Sequence, residues 1–235
     1  MSERSQTILI WWALIFAGIY GAALVFLLDM VPPPSPTLSA NAIAHWYAAR
    51  HTQIRIGAVI AGWTSAFMVP ISIVVGVQMA RQEGRGKVWS ITTIVSGALM
   101  SIFLVLPPLF WGVAAFTPHR DPQVTSIMHE LGMLTLTTTD QYYVFMWVAV
   151  VVICFIPTAV KHSPFPRWFG YLSAWIAVMF EAGAFAFLPR TGPFAWNGLL
   201  SWYVTVIGFF IWLVVMVVTT LAAIKRQDAE ETEAA

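Results

Sequence analysis

The run VWSITTIVSGALMSIFLVLPPLFWGVAAF, residues 88–116, contains no Asp, Glu, Lys or Arg. A helix needs roughly 20 apolar residues to cross a hydrocarbon core about 30 Å thick. This stretch exceeds that length, and it has the composition of a segment solvated by lipid. Working outward, five further apolar runs of spanning length occupy residues 8–28, 56–80, 142–160, 168–188 and 199–224. The connections between them are too short to fold as separate domains.

The whole chain agrees with its most apolar part. It is 59% hydrophobic and 10% charged, whereas a soluble domain carries roughly 25% charged residues. These observations predict an all-α fold: a polytopic transmembrane helical bundle of about six spans. Residues 1–226 would form a single transmembrane domain, and residues 227–235 a disordered acidic tail. The chain opens Met1-Ser2-Glu3-Arg4 and has no small-residue cleavage pattern after its first apolar run, so a retained span is expected. The net charge of +1 gives no field that would recruit nucleic acid. The lone cysteine, Cys154, excludes a disulfide or cysteine–metal framework.

Orientation is read from the basic residues. Arg4, Arg81, Arg85, Lys87, Lys161, Arg167, Lys225 and Arg226 fall on one side, and Arg50, Arg55, Arg120 and Arg190 on the other. The positive-inside rule then places both termini in the cytoplasm of a multi-pass cell-membrane protein. Two outer connections carry helical signals of their own. Ser39 can cap a short helix bearing Ile43, Trp46, Tyr47 and Arg50, and Asp121-Pro122 can start one bearing Val124, Ile127, Met128 and Leu131. Both are expected as short interfacial helices, the second lying in the outer interface or dipping into the protein.

Glu181 is the residue most suggestive of chemistry. It lies inside the fifth run, where a carboxylate is costly and normally faces a protein interior or a wet cavity. An outward-opening polar pocket is therefore expected, with Glu181 and Asp140 as candidate catalytic groups. Arg55, His129, Phe180, Phe185, Trp196, Asn197 and Trp202 are the candidate ligand-binding residues. Taken singly, Arg55 reads as an arginine snorkelling to headgroups, Asp140 as a charge at a helix N-terminus, and His129 and Glu130 as wet surface groups. Asn197 is positioned to cap the sixth helix. An aromatic wall of Phe180, Phe185, Phe187, Trp196 and Trp202 beside one carboxylate suits a sterol, isoprenoid or aromatic ligand. Pro70, Pro107-Pro108 and Pro157 are expected to bend their spans. No pair of histidines has metal-binding spacing, and no cofactor or metal is expected.

The segments Phe116-Thr117-Pro118-His119-Arg120-Asp121-Pro122 and Thr191-Gly192-Pro193-Phe194-Ala195-Trp196-Asn197-Gly198, with Pro166-Arg167-Trp168-Phe169-Gly170-Tyr171, resemble those of an uncharacterised family of small six-span bacterial integral membrane proteins. The resemblance implies the same architecture and no particular activity, and Glu181 lies outside the shared segments. Three functions are open to such a chain. It could bind membrane lipid or an apolar small molecule in an intramembrane pocket, with acid–base chemistry at Glu181. It could serve as a non-enzymatic accessory or scaffold subunit, as a homo-oligomer or with partner membrane subunits. It could be a small permease or proton-coupled transporter.

Overall fold

Six helical stretches are long and apolar enough to cross a membrane, and they pack into one bundle without a strand among the described residues. The computed structural model describes residues 2–84, 86–139, 141–157, 160 and 163–234. Helix α1 (Glu3–Ala22) ends in a π-helical turn (Ala23–Leu27). Helices α2 (Ala40–Thr64) and α3 (Met68–Glu83) are joined by a 3-10 turn (Ser65–Phe67). Then come α4 (Val88–Phe116), α5 (Pro122–Thr138), α6 (Gln141–Phe155) and α7 (Arg167–Phe180). A 3-10 segment (Glu181–Phe187) extends α7, and a π-helical turn (Leu199–Val204) leads into α8 (Thr205–Ala234).

The expected caps form. The Ser39 hydroxyl accepts from the Ala42 N–H at 3.3 Å, and the Asp121 carboxylate from the Gln123 N–H at 2.7 Å. The first amphipathic segment, however, is not a separate helix. It is the leading part of α2, and α2 with α3 makes a stretch of 44 residues. At about 1.5 Å per residue that is about 66 Å, roughly twice the hydrocarbon core. The stretch is longer than one crossing needs, and the 3-10 turn before Pro70 divides it. The second segment, α5, is long enough to pack along α4. It stops at Thr139, where the hydroxyls of Thr137, Thr138 and Thr139 all turn back to carbonyls one turn earlier.

Helix α4 is the centre of the bundle and packs against α2, α3, α5 and α6. Small residues permit this. A Cβ on Gly112 would come within 2.8 Å of the Ala58 Cβ, and one on Gly97 would collide with Ser72. Between helices in lipid there is little hydrophobic driving force, so close backbone approach supplies the packing. Pro107 and Pro108 lie within a continuous α4. Pro108 has no N–H to give the Leu104 carbonyl, and the Tyr20 hydroxyl donates to that oxygen instead, at 2.8 Å.

At the end carrying both termini, buried glutamines tie the helices together. The Gln78 amide donates to Gln6 at 2.7 Å and to Gln227 at 2.8 Å, and Arg81 pairs with Glu230 at 2.9 Å. Residues 227–234 continue α8 as helix. Within that segment the Gln227 side-chain carbonyl and the Glu230 carboxylate find partners on α3. Nearby, Glu83 at the end of α3 caps α4 from outside. Its carboxylate accepts from the Trp89 and Ser90 N–H groups at 2.7 and 2.9 Å and from the Ser90 hydroxyl at 2.6 Å. Lys87, the residue at the N-cap position, has φ 53 and no capping side-chain bond. Glu83→Ala should therefore destabilise the fold by about 1 kcal/mol, read as a lower thermal midpoint in detergent, with Glu83→Gln falling between the two.

Candidate functional site

The polar residues expected to converge on Glu181 are dispersed into separate pairs. Asp29 pairs with Arg50 at 3.0 Å, and Glu130 with Arg190 at 3.3 Å. The Arg55 guanidinium stands 5.1 Å from the centroid of the Phe116 ring, on the outer flank of α2. Glu181 starts the 3-10 segment, is exposed on the bundle's exterior, and has no hydrogen-bond or ion-pair partner among the described residues. Asp140 lies outside the described residues. Phe185 is exposed and packs edge-on to Phe194 at 5.7 Å.

Two of the expected residues line one enclosed space. Phe180 and Trp202 form part of the wall of a cavity of about 380 Å³ between α1, α4, α7 and α8. Its mouth lies between α1 and α8, where Gly18, Ala22, Val25 and Phe210 both line the cavity and are exposed. No ionisable Asp, Glu, His, Lys or Arg lines it. Four of the hydroxyls in its wall are committed within the protein. Tyr20 donates to Leu104, Thr137 to Met133, Ser201 to Ala182 and Phe194, and Thr205 to Leu200. Phe180 is fixed by stacking on Tyr143 at 5.3 Å and by an edge contact with Trp147 at 4.7 Å. Such a wall receives an apolar molecule by shape and contact.

Departures from α geometry border this cavity. Leu24 and Val25 come from the π turn after α1, Ser201 and Trp202 from the π turn before α8, and Phe180 immediately precedes the 3-10 segment. Widened or tightened turns cannot mesh with α-helical neighbours as α-helices do, and they are frequent at functional sites. The outer turn sets the last of them. The Pro193 carbonyl takes the N–H groups of Leu200 and Ser201 at 2.9 and 3.3 Å. Those bonds do the work expected of Asn197: the N-cap is Gly198, without a side-chain bond. Asn197 is half-buried in the turn.

His129 is buried at 1% exposure, which corrects its reading as a wet surface group. Its Nδ1 meets the Tyr47 hydroxyl at 3.0 Å, while Nε2 has no partner among the described residues. Trp196 closes over the ring edge-on at 6.0 Å and donates its indole N–H to the Pro34 carbonyl at 2.8 Å. The inward face of α5 is Thr125, His129, Gly132 and Met133, and the apolar stripe of Val124, Ile127 and Leu131 points outward. That is the arrangement lipid favours, with small and polar groups between helices and apolar groups outside. Gly132 lies so close to the Trp111 indole that a Cβ there would collide with it.

Tyr20, Gly18 and Gly21 are cavity residues that the sequence reading passed over. The signal available was a tyrosine within an apolar run whose neighbours, Ala17, Gly18, Gly21, Ala22 and Ala23, are small. Fold and cavity together define an all-α bundle with six candidate membrane spans and a largely apolar cavity that opens on its flank. Comparison with family models, curated proteins and solved structures finds no match for this chain. Removing the Tyr47 hydroxyl leaves both His129 nitrogens unpaired. Tyr47→Phe is therefore expected to cost about 1–2 kcal/mol, measured as a lower unfolding midpoint with the oligomeric state unchanged.

Proposed function

We propose that this protein binds an apolar membrane molecule, an isoprenoid or acyl chain, in the cavity between α1 and α8. The observation that carries the reading is the match between wall and solvent. The wall is almost wholly aromatic and aliphatic, four of its hydroxyls already donate within the protein, and its mouth faces the flank where lipid lies. A molecule dissolved in the bilayer enters such a mouth laterally without crossing water. Gly18 and Gly21 hold the mouth open. A Cβ at Gly18 meets nothing within 4 Å, and one at Gly21 meets only the edge of Phe210 at 3.7 Å. The excess of basic residues at the end carrying the termini supports a cytoplasmic location for that end.

Native mass spectrometry after gentle extraction tests the reading. The wild-type protein should retain an apolar molecule. Gly18→Phe with Gly21→Leu, which fills the mouth while improving helix propensity, should lower retention at least tenfold. Val178→Phe, on the lipid-facing flank of α7 at 67% exposure, should not. Equal retention by the mouth-filled variant would overturn the reading.

A second reading, an accessory subunit that assembles through helix contacts, has one observation in its favour. Glu181 is an exposed carboxylate within an apolar span and beside the exposed Phe185 and Phe187, where a partner helix would relieve its cost. On that reading Glu181→Lys disperses higher-order species. An unchanged distribution of oligomers would exclude assembly through this flank.

A further inference from the structure

Of the four arginines at the end remote from the termini, Arg50 and Arg190 are paired with carboxylates. Arg55 and Arg120 have no carboxylate partner among the described residues, and both lie on the seam between α2 and α4. Arg120 is held in place by the Val113 carbonyl at 3.2 Å and the Thr117 hydroxyl at 3.0 Å, neither of which cancels its charge. It borders a cup of about 230 Å³ whose other polar lining includes His45, His51 and His119 and contains no Asp or Glu. The nearest acid in sequence, Asp121, is committed as the cap of α5.

Directly along the seam, a groove of about 570 Å³ continues between the same two helices, lined by Arg55 and then by Ile56, Val59, Leu109 and Val113. Cup and groove share one face of α2, because Ala48 and Thr52, and His51 and Arg55, are each four residues apart. The floor is closed by the contact of Gly112 with Ala58. A cationic cup, a second cation at the neck and an apolar trough in line have the shape and charge order of one amphiphile.

We propose that the α2–α4 seam is a binding site for an acyl phospholipid of net negative charge. Its headgroup is held by Arg120 and the surrounding histidines, Arg55 meets the phosphate or glycerol at the neck, and an acyl chain lies along Ile56, Val59 and Leu109. The charge complementarity selects an anionic occupant, and the apolar trough selects one with a chain. This site is separate from the cavity between α1 and α8 and does not depend on it.

The test uses the full chain, delipidated in detergent and titrated with phosphatidylglycerol or with phosphatidylcholine of identical chains, read by native mass spectrometry. Phosphatidylglycerol should bind at least tenfold tighter. Arg55→Gln with Arg120→Gln should abolish that preference. Thr52→Asp, an exposed change that places a carboxylate between cup and trough, should do the same in a chain whose arginines are intact. Arg190→Gln, at the same end but off the seam, should have no effect, and neither should the Gly18 and Gly21 changes. Equal affinity for the two lipids, or a preference that survives both seam variants, overturns the proposal. Displacement of the lipid by millimolar inorganic phosphate would also overturn it, since the cup would then be a site for a free anion.

Discussion

The structure depends on how closely other helices approach α4. Hydrocarbon surrounds a membrane helix as comfortably as another helix does, so apolar side chains alone give no reason to associate. What remains is dispersion at short range, and that requires residues without bulk where helices cross. Gly97 meets Ser72 of α3, Gly112 meets Ala58 of α2, and Gly132 of α5 meets Trp111 of α4. Three neighbours are thereby seated on one helix, each through a residue that lacks a side chain. Polar contacts then fix register: Tyr20 on the carbonyl freed by Pro108, and the glutamines that join α1, α3 and α8.

Where that close packing fails, space opens. The two π turns, both at the end of the α1–α8 pairing remote from the termini, displace the neighbouring residues from α-helical register, and a cavity opens beside them. Between α2 and α4 the helices touch at Gly112, and larger side chains line a trough along the same seam. One principle thus produces both candidate binding surfaces. The first is almost wholly aliphatic and aromatic; the second carries charge at one end only.

Much of this fold is legible in the sequence because bilayer thickness imposes a length. The run from Val88 to Phe116 is a helix over those same residues, and Ser39 and Asp121 cap where their chemistry says they should. The candidate site is less legible, for a geometric reason. Successive helical residues differ by about 100° in direction, so Phe180 lines the cavity while Glu181, its neighbour, faces outward. An apolar span gives no polar stripe by which to tell those faces apart. His129 was hidden for a related reason. A soluble helix buries its apolar stripe, whereas α5 turns that stripe outward and buries the histidine against Tyr47 and Trp196. The cap expected of Asn197 does not form because the bonds that replace it go to the Pro193 carbonyl, a backbone group with no signature in composition.

The dependence on close approach is most directly tested by comparing Gly97→Leu with Gly62→Leu through their thermal unfolding midpoints in the same detergent. Both substitutions replace a helical glycine with a better helix former. At Gly62 an added Cβ meets nothing within 4 Å, whereas at Gly97 it strikes Ser72. Packing on α4 predicts that Gly62→Leu unfolds at or above the wild-type midpoint and that Gly97→Leu unfolds many degrees lower or does not fold. Equal midpoints for the two variants would contradict it.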